Sequence, residues 1–251
     1  VELPSIAVTE PLSLAGGIDA AELVVSAEHT EPVDGERVIA AVAIPGEGEP
    51  LPLALGTRHG VVKRWNRESP TTMDSWSIID LKDGDELLTA REAADGDRVV
   101  FVSSDSSLLT FDAKLVRPQG RTAAGMAGIR LAEGCTVLTC AIVPAAQVAW
   151  HEAQTDDQGA VTEAAHGAVV LTVAGDADAL PGTENGSAKL TPFSLYPTKG
   201  RATGGVRSQR FLKGQNTLVK AYVGDYPLVA CTEHGHPVAL PQPDMRRDGS
   251  G

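Results

Sequence analysis

Aromatic side chains make up only 4% of the 251 residues, so any core must be built from the small aliphatic groups that dominate the 42% hydrophobic fraction. Trp65, Trp76 and Trp150 are too scattered to form the stacking platforms that bind single-stranded nucleic acid. There are three cysteines, Cys135, Cys140 and Cys231, without CxxC spacing; they read as reduced thiols in a cytoplasmic protein rather than a disulfide or metal framework. Cys231, His234 and His236 lie near one another, but a four-ligand zinc site needs a further donor close by, so they read as an ordinary turn. No apolar run approaches the roughly 18 residues of a spanning helix, and no signal peptide opens the chain, which speaks against a membrane partner. No initiator Met stands at position 1, as expected of a segment excised from a longer protein. Nor does any set of nucleophile, base and orienting group emerge, so the chain is expected to be non-catalytic.

What is present is glycine, proline and segregated charge. Twenty-six glycines and sixteen prolines cut the chain into short pieces and disfavour long helices. The net charge is −12, which by itself speaks against a nucleic-acid partner, but the charge comes in blocks. Residues 1–50 hold ten acids and the single basic residue Arg37, and residues 146–185 hold seven acids and no Lys or Arg. Residues 51–67 carry Arg58, Lys63, Arg64 and Arg67 and no acid; residues 186–220 carry Lys189, Lys199, Arg201, Arg207, Arg210, Lys213 and Lys220, again with no acid. Such blocks imply a polyanion-facing surface on an acidic body.

Three elements recur. The first is a glycine followed by an apolar strand: VDGERVIAAVAI at 33–44, LKDGDELLTARE at 81–92, LAEGCTVLTCAIV at 131–143 and FLKGQNTLVKAYV at 211–223. Their glycines, Gly35, Gly84, Gly134 and Gly214, are 49, 50 and 80 residues apart; acidic insertions at 146–166 and 175–185 account for the long interval. The second is a hairpin of two apolar strands about a polar turn, at 53–65, 99–111, 169–193 and 227–240. The third is RPQGRTAAGMAGIRL at 117–131 and YPTKGRATGGVRSQRFL at 196–212, with a shortened form, PLSLAGG, at 11–17.

A period near 50 residues with about four short strands per unit predicts an all-β, propeller-like disc of four-stranded blades. The blades are expected at roughly 1–44, 51–94, 97–145, 167–223 and 226–241, about five with the first incomplete, in a single domain over 1–251 with a tail at 242–251. GRATGG at 200–205 superficially suggests a nucleotide loop. A phosphate cradle needs a preceding strand and a following helix, however, whereas the flanks here are LYPT and the strand-like VRSQRFL. Gly204 and Gly205 therefore read as a bend or close backbone approach at a blade edge. Arg207 reads equally as a blade support, paired in the repeat with Arg130.

LALGTRHGVVKR, RPQGRTAAGMAGIRL and KGRATGGVRSQRFLKG closely resemble the C-terminal domain of the A subunit of bacterial type IIA topoisomerases, topoisomerase IV and gyrase, over essentially the whole chain. The wording, including PDMRRDGSG at the end, looks most like actinobacterial topoisomerase IV. The resemblance implies a β-pinwheel whose blades exchange strands and whose basic rim binds duplex DNA. It also implies a cytoplasmic, nucleoid-associated parent enzyme that uses Mg2+ and ATP, with no cofactor in this fragment. The N-terminal part of the same polypeptide, which holds the breakage-reunion tyrosine, and a B subunit in a heterotetramer are the implied protein partners. Tyr196, Tyr222 and Tyr226 lack the flanking arginine and acid cluster expected of that tyrosine. The gyrase heptapeptide box (glutamine, two basics, two glycines, basic, glycine) is absent; QGRTAAG at 119–125 only begins and ends alike, which favours topoisomerase IV. The expected DNA contacts are Arg58, Lys63, Arg64, Arg67, Arg117, Arg121, Lys199, Arg201, Arg207, Arg210 and Lys213. A propeller that docks protein partners through its acidic loops is the competing reading.

Overall fold

Each repeat unit contributes strands too short and too apolar on both faces to stand alone, and the architecture follows from how they are covered. A computed structural model describes residues 38–43, 49–68, 76–180, 186–232 and 234–251. The described residues contain strands and three short 3-10 turns, and no α-helix. The repeat copy at 11–17 and half of that at 33–44, including Gly35, lie outside the described residues.

The first sheet, blade I, begins with the hairpin β1 (Leu53–Thr57) and β2 (Val61–Trp65), and β3 (Leu87–Glu92) pairs antiparallel with the other edge of β1. Blade II repeats this plan with β4 (Arg98–Ser103) and β5 (Ser107–Asp112), followed by a 3-10 turn at Ala113–Leu115. The chain then runs back to blade I, where β6 (Pro118–Gln119) pairs parallel and β7 (Met126–Ala127) antiparallel with β2. It returns as β8 (Val137–Val143), which pairs with β4.

The acidic insertion forms a separate exposed hairpin, β9 (Gln154–Thr155) and β10 (Val161–Glu163). Blade III follows, with β11 (Ala168–Gly175), β12 (Ser187–Pro192) and a 3-10 turn at Phe193–Leu195. From there the chain reaches back to blade II, where Thr198 bridges Thr110 and β13 (Val206–Arg207) pairs with β5. It closes blade III with β14 (Thr217–Asp225) on β11. A short hairpin, β15 (Ala230–Cys231) and β16 (Pro237–Val238), comes last.

Blades I and II therefore each receive their outermost strand from the unit that follows, the strand exchange of a β-pinwheel. The opposite edges, β3, β8 and β14, are the inner strands, and β8 contacts both of the others.

Blades stack face to face, which explains strands buried on both sides. One apolar layer joins blades I and II through Val62, Val99, Phe101, Leu109, Phe111 and Ile142; the rings of Phe101 and Phe111 stack at 6.3 Å. A second layer joins blades II and III through Val100, Leu108, Val143, Val170, Phe193 and Leu218.

The recurring glycine of the third element has a steric reason. Gly205 has φ +74, and a Cβ there would lie 2.3 Å from the Leu108 carbonyl oxygen; at Gly125 (φ +85) the Val62 carbonyl would be 2.9 Å away. Gly205→Ala is expected to destabilise by at least about 1–3 kcal/mol through left-handed strain, with the clash adding to it. Gly120→Ala, which meets nothing within 4 Å, should shift stability by less than about 0.5 kcal/mol. Midpoints of urea unfolding check the contrast.

Candidate nucleic-acid interface

The two exchanged segments occupy the same place on successive blades. Pro118 lies opposite Arg64 and Met126 opposite Val62; on the next blade Thr198 lies opposite Thr110 and Val206 opposite Leu108. This register aligns Gln119 with Lys199, Arg121 with Arg201, Ala127 with Arg207 and Arg130 with Arg210. The repeat partner of Arg130 is therefore Arg210, not Arg207, correcting the pairing expected from the sequence.

Consecutive segments also bond to each other. The amide of Ala202 donates to the Gly128 carbonyl at 2.6 Å, the amide of Arg130 donates to Thr203 at 3.0 Å, and the Arg201 guanidinium donates to the Ala127 carbonyl. The exchanged segments form one continuous belt along the outer edges of blades I and II. Neither 113–131 nor 196–212 contains an acid.

The expected contacts divide by where their charge points. Lys63 is fully buried, and its ammonium donates to the carbonyls of Ile78 (2.7 Å), Arg121 (2.8 Å) and Ala123 (2.6 Å). Burial pulls its pKa below the ordinary lysine value. Arg64 is 2% exposed; it pairs with Asp95 at 2.8 Å and donates to the carbonyls of Ala93, Ala113 and Val116. Arg67 pairs with Glu92 and donates to the Ala43 carbonyl.

Lys63 and Arg64 are thus not available to a rim-bound duplex. Adjacent strand residues face opposite sides, and here both sides are covered: by the returning segment over Lys63, and by the 93–95 and 113–116 backbone around Arg64. Arg58, at the β1–β2 turn, is exposed but pairs with Glu86, while the neighbouring His59 amide binds Asp85.

On the belt the picture reverses. Arg117, Lys199, Arg207, Arg210 and Lys213 are exposed, and Arg121 and Arg201 are half-buried. Lys199 donates to its own segment at the Gly205 carbonyl (3.1 Å). Among the described residues, no acidic side chain pairs with Arg117, Arg121, Arg207, Arg210 or Lys213. Arg130 shares this setting, exposed on the belt at the step of Arg210; the charge blocks do not single it out, although the repeat contains the signal.

Elsewhere, burial pushes the pKa of the Tyr196 phenol and the Cys140 thiol up, which makes both poor nucleophiles. Among the described residues no group of His, Cys, Asp and Glu is placed to hold a metal ion, and no helix is long and apolar enough to cross a membrane.

Comparison with known proteins agrees with this architecture. The family described as DNA gyrase C-terminal domain, beta-propeller, matches residues 97–144 and 182–224, within blades II and III. The DNA gyrase A protein of Staphylococcus epidermidis is 27% identical over 207 residues, 81% of this chain and 20% of that protein. Its counterpart in Salmonella typhimurium is 30% identical over 188 residues, 74% of this chain and 18% of that protein. The crystal structure of the C-terminal domain of DNA topoisomerase IV superimposes with a TM-score of 0.63 at 19% identity, covering 88% of this chain and 62% of that one. The chain spans about a fifth of the length of the curated relatives it matches. It is similar in sequence to DNA gyrase A proteins and shares the β-pinwheel fold of the C-terminal domain of DNA topoisomerase IV.

The division between inward and outward cations is open to measurement. Lys63→Met and Arg64→Met should each destabilise by about 2–5 kcal/mol, because buried carbonyls, and for Arg64 a carboxylate, lose their donors. Arg207→Ala and Arg210→Ala should stay within about 0.5 kcal/mol of the parent. Chemical-denaturation midpoints for the four variants check the ranking.

Proposed function

We propose that the chain is the non-catalytic duplex-DNA-binding and bending domain of the A subunit of a topoisomerase IV, acting in the cytoplasm on nucleoid DNA. On this reading it presents DNA to the cleavage core of the same polypeptide, which works with a B subunit in ATP-dependent decatenation and relaxation. The observation that carries the proposal is the belt: a continuous run of exchanged backbone on successive blades, free of acids and studded with exposed guanidinium and ammonium groups. Such an array contacts phosphates without reading bases, and binding releases the condensed counterions. Because the cations lie along the outer edges of successive blades, a duplex gains contacts only by following the belt, and those contacts offset its bending energy.

Assignment to topoisomerase IV rests on QGRTAAG at 119–125. Where the gyrase box would supply further basic residues, this stretch carries only Arg121, and its Arg121 and Ala123 carbonyls turn inward onto Lys63. The corresponding domain of gyrase is the second reading, favoured by the names of the curated relatives.

Duplex affinity measured by fluorescence anisotropy should fall steeply between about 50 and 200 mM salt and be insensitive to sequence. Arg207→Ala with Arg210→Ala should weaken binding and lower the slope of log K against log salt by about two. Undetectable binding at about 50 mM salt, or an unchanged slope in the double variant, contradicts the proposal.

A further inference from the structure

Blade III has an outer strand, β12, whose edge needs a partner as β2 and β5 do. The segment that meets it is residues 243–251, which by sequence pattern alone read as a tail. The amide of Asp244 donates to the Leu190 carbonyl at 2.7 Å, as the amide of Lys199 donates to Thr110 at 2.9 Å. Leu190 and Thr110 are equivalent positions, each three residues before the 3-10 turn of its blade.

Lys189, next to Leu190 and 2% exposed, donates to the Arg247 carbonyl at 3.0 Å, as Lys63 of blade I donates to Arg121. The amide of Arg210 donates to Gly249 at 3.0 Å, as its repeat partner Arg130 donates to Thr203. Gly251 comes so close to β12 that a Cβ would lie 2.8 Å from the Ala188 carbonyl, the counterpart of Leu108 beneath Gly205 and of Val62 beneath Gly125. The step from the strand-bonding residue to this glycine is six residues at 119–125 and 199–205 but seven at 244–251. One inserted residue, together with the loss of the shared GR pair, conceals the repeat.

We infer that residues 243–251 are a third exchange segment, which closes blade III and carries the duplex-binding belt one blade further through Arg246 and Arg247. Arg247 takes the step of Arg121, with its carbonyl held by a buried lysine. The Arg246 side chain is 82% exposed and pairs with Asp244 at 3.3 Å. Asp248 lies on the same segment, so this stretch, unlike 113–131 and 196–212, is not free of acids. The ligand is the same duplex phosphate backbone, so the second half of the inference rests on the DNA-binding reading above. The first half, closure of the blade, does not.

Two measurements on the full chain separate the halves. Hydrogen exchange should show the amides of Asp244 and Arg210 protected to the same order as those of Lys199 and Arg130. Exchange of Asp244 and Arg210 at open-loop rates, with Lys199 and Arg130 protected, overturns the closure. Arg246→Ala with Arg247→Ala should leave the urea midpoint unchanged, weaken binding to a duplex of about 30 base pairs several-fold, and lower the salt slope by about two. An unchanged affinity and slope, with Arg207→Ala plus Arg210→Ala still weakening binding, overturns the extended belt alone. Absence of duplex binding by the parent chain overturns the DNA reading and the belt together, and leaves the exchange pattern to decide the closure.

Discussion

A sheet that ends at β2, β5 or β12 leaves a row of backbone amides and carbonyls without partners, and meeting that requirement organises the rest of the molecule. The partner comes from the following unit, so no blade is complete without its neighbour. The short strands, the two-sided apolar faces and the glycines at 125 and 205 follow from this. A chain that must lie directly on a neighbouring carbonyl at positive φ has no room for a Cβ. The same exchange sets the segments end to end, with Ala202 and Arg130 bonding across the junction, so that an outer surface exists at all.

Positive charge serves this arrangement in two ways. Lys63 and Lys189 sit beneath returning segments and supply donors to backbone carbonyls there, with Asp244 and Asp248 near Lys189. Arg64 performs a related task between blades I and II, with one acid and three carbonyls. Arg117, Arg130, Arg207 and Arg210 of the belt are instead exposed, leaving their side chains to solvent and to a polyanion. A cation at an element's middle strand fastens the fold, and a cation on the exchanged segment faces outward.

The sequence made an all-β, propeller-like disc legible, because the hairpins at 53–65, 99–111 and 169–193 kept their apolar strands and polar turns despite the acidic insertion that lengthens the second interval; the strand exchange of a pinwheel came from the family resemblance. It also made the glycine turns legible, since 117–131 and 196–212 share Gly125 and Gly205. Burial of Lys63 and Arg64 was not legible. Alternation along one strand shows that they point apart, but not that a segment some 55 residues later covers one side. The register of Arg130 with Arg210, rather than with Arg207, is present in the sequence when the two copies are aligned from Gly120 and Gly200. Residues 243–251 escaped because only their backbone contacts repeat, while their side chains have diverged.

The central claim is that duplex DNA follows the exchanged segments and no other face. A photo-crosslinking side chain placed at Thr203, at Arg207 or at Ala124, and in a separate protein at Gln158 on the acidic β9–β10 hairpin, tests it directly. The account predicts that the three belt positions crosslink to a bound duplex at low salt and that position 158 does not. Crosslinking from position 158 with none from the belt would contradict it.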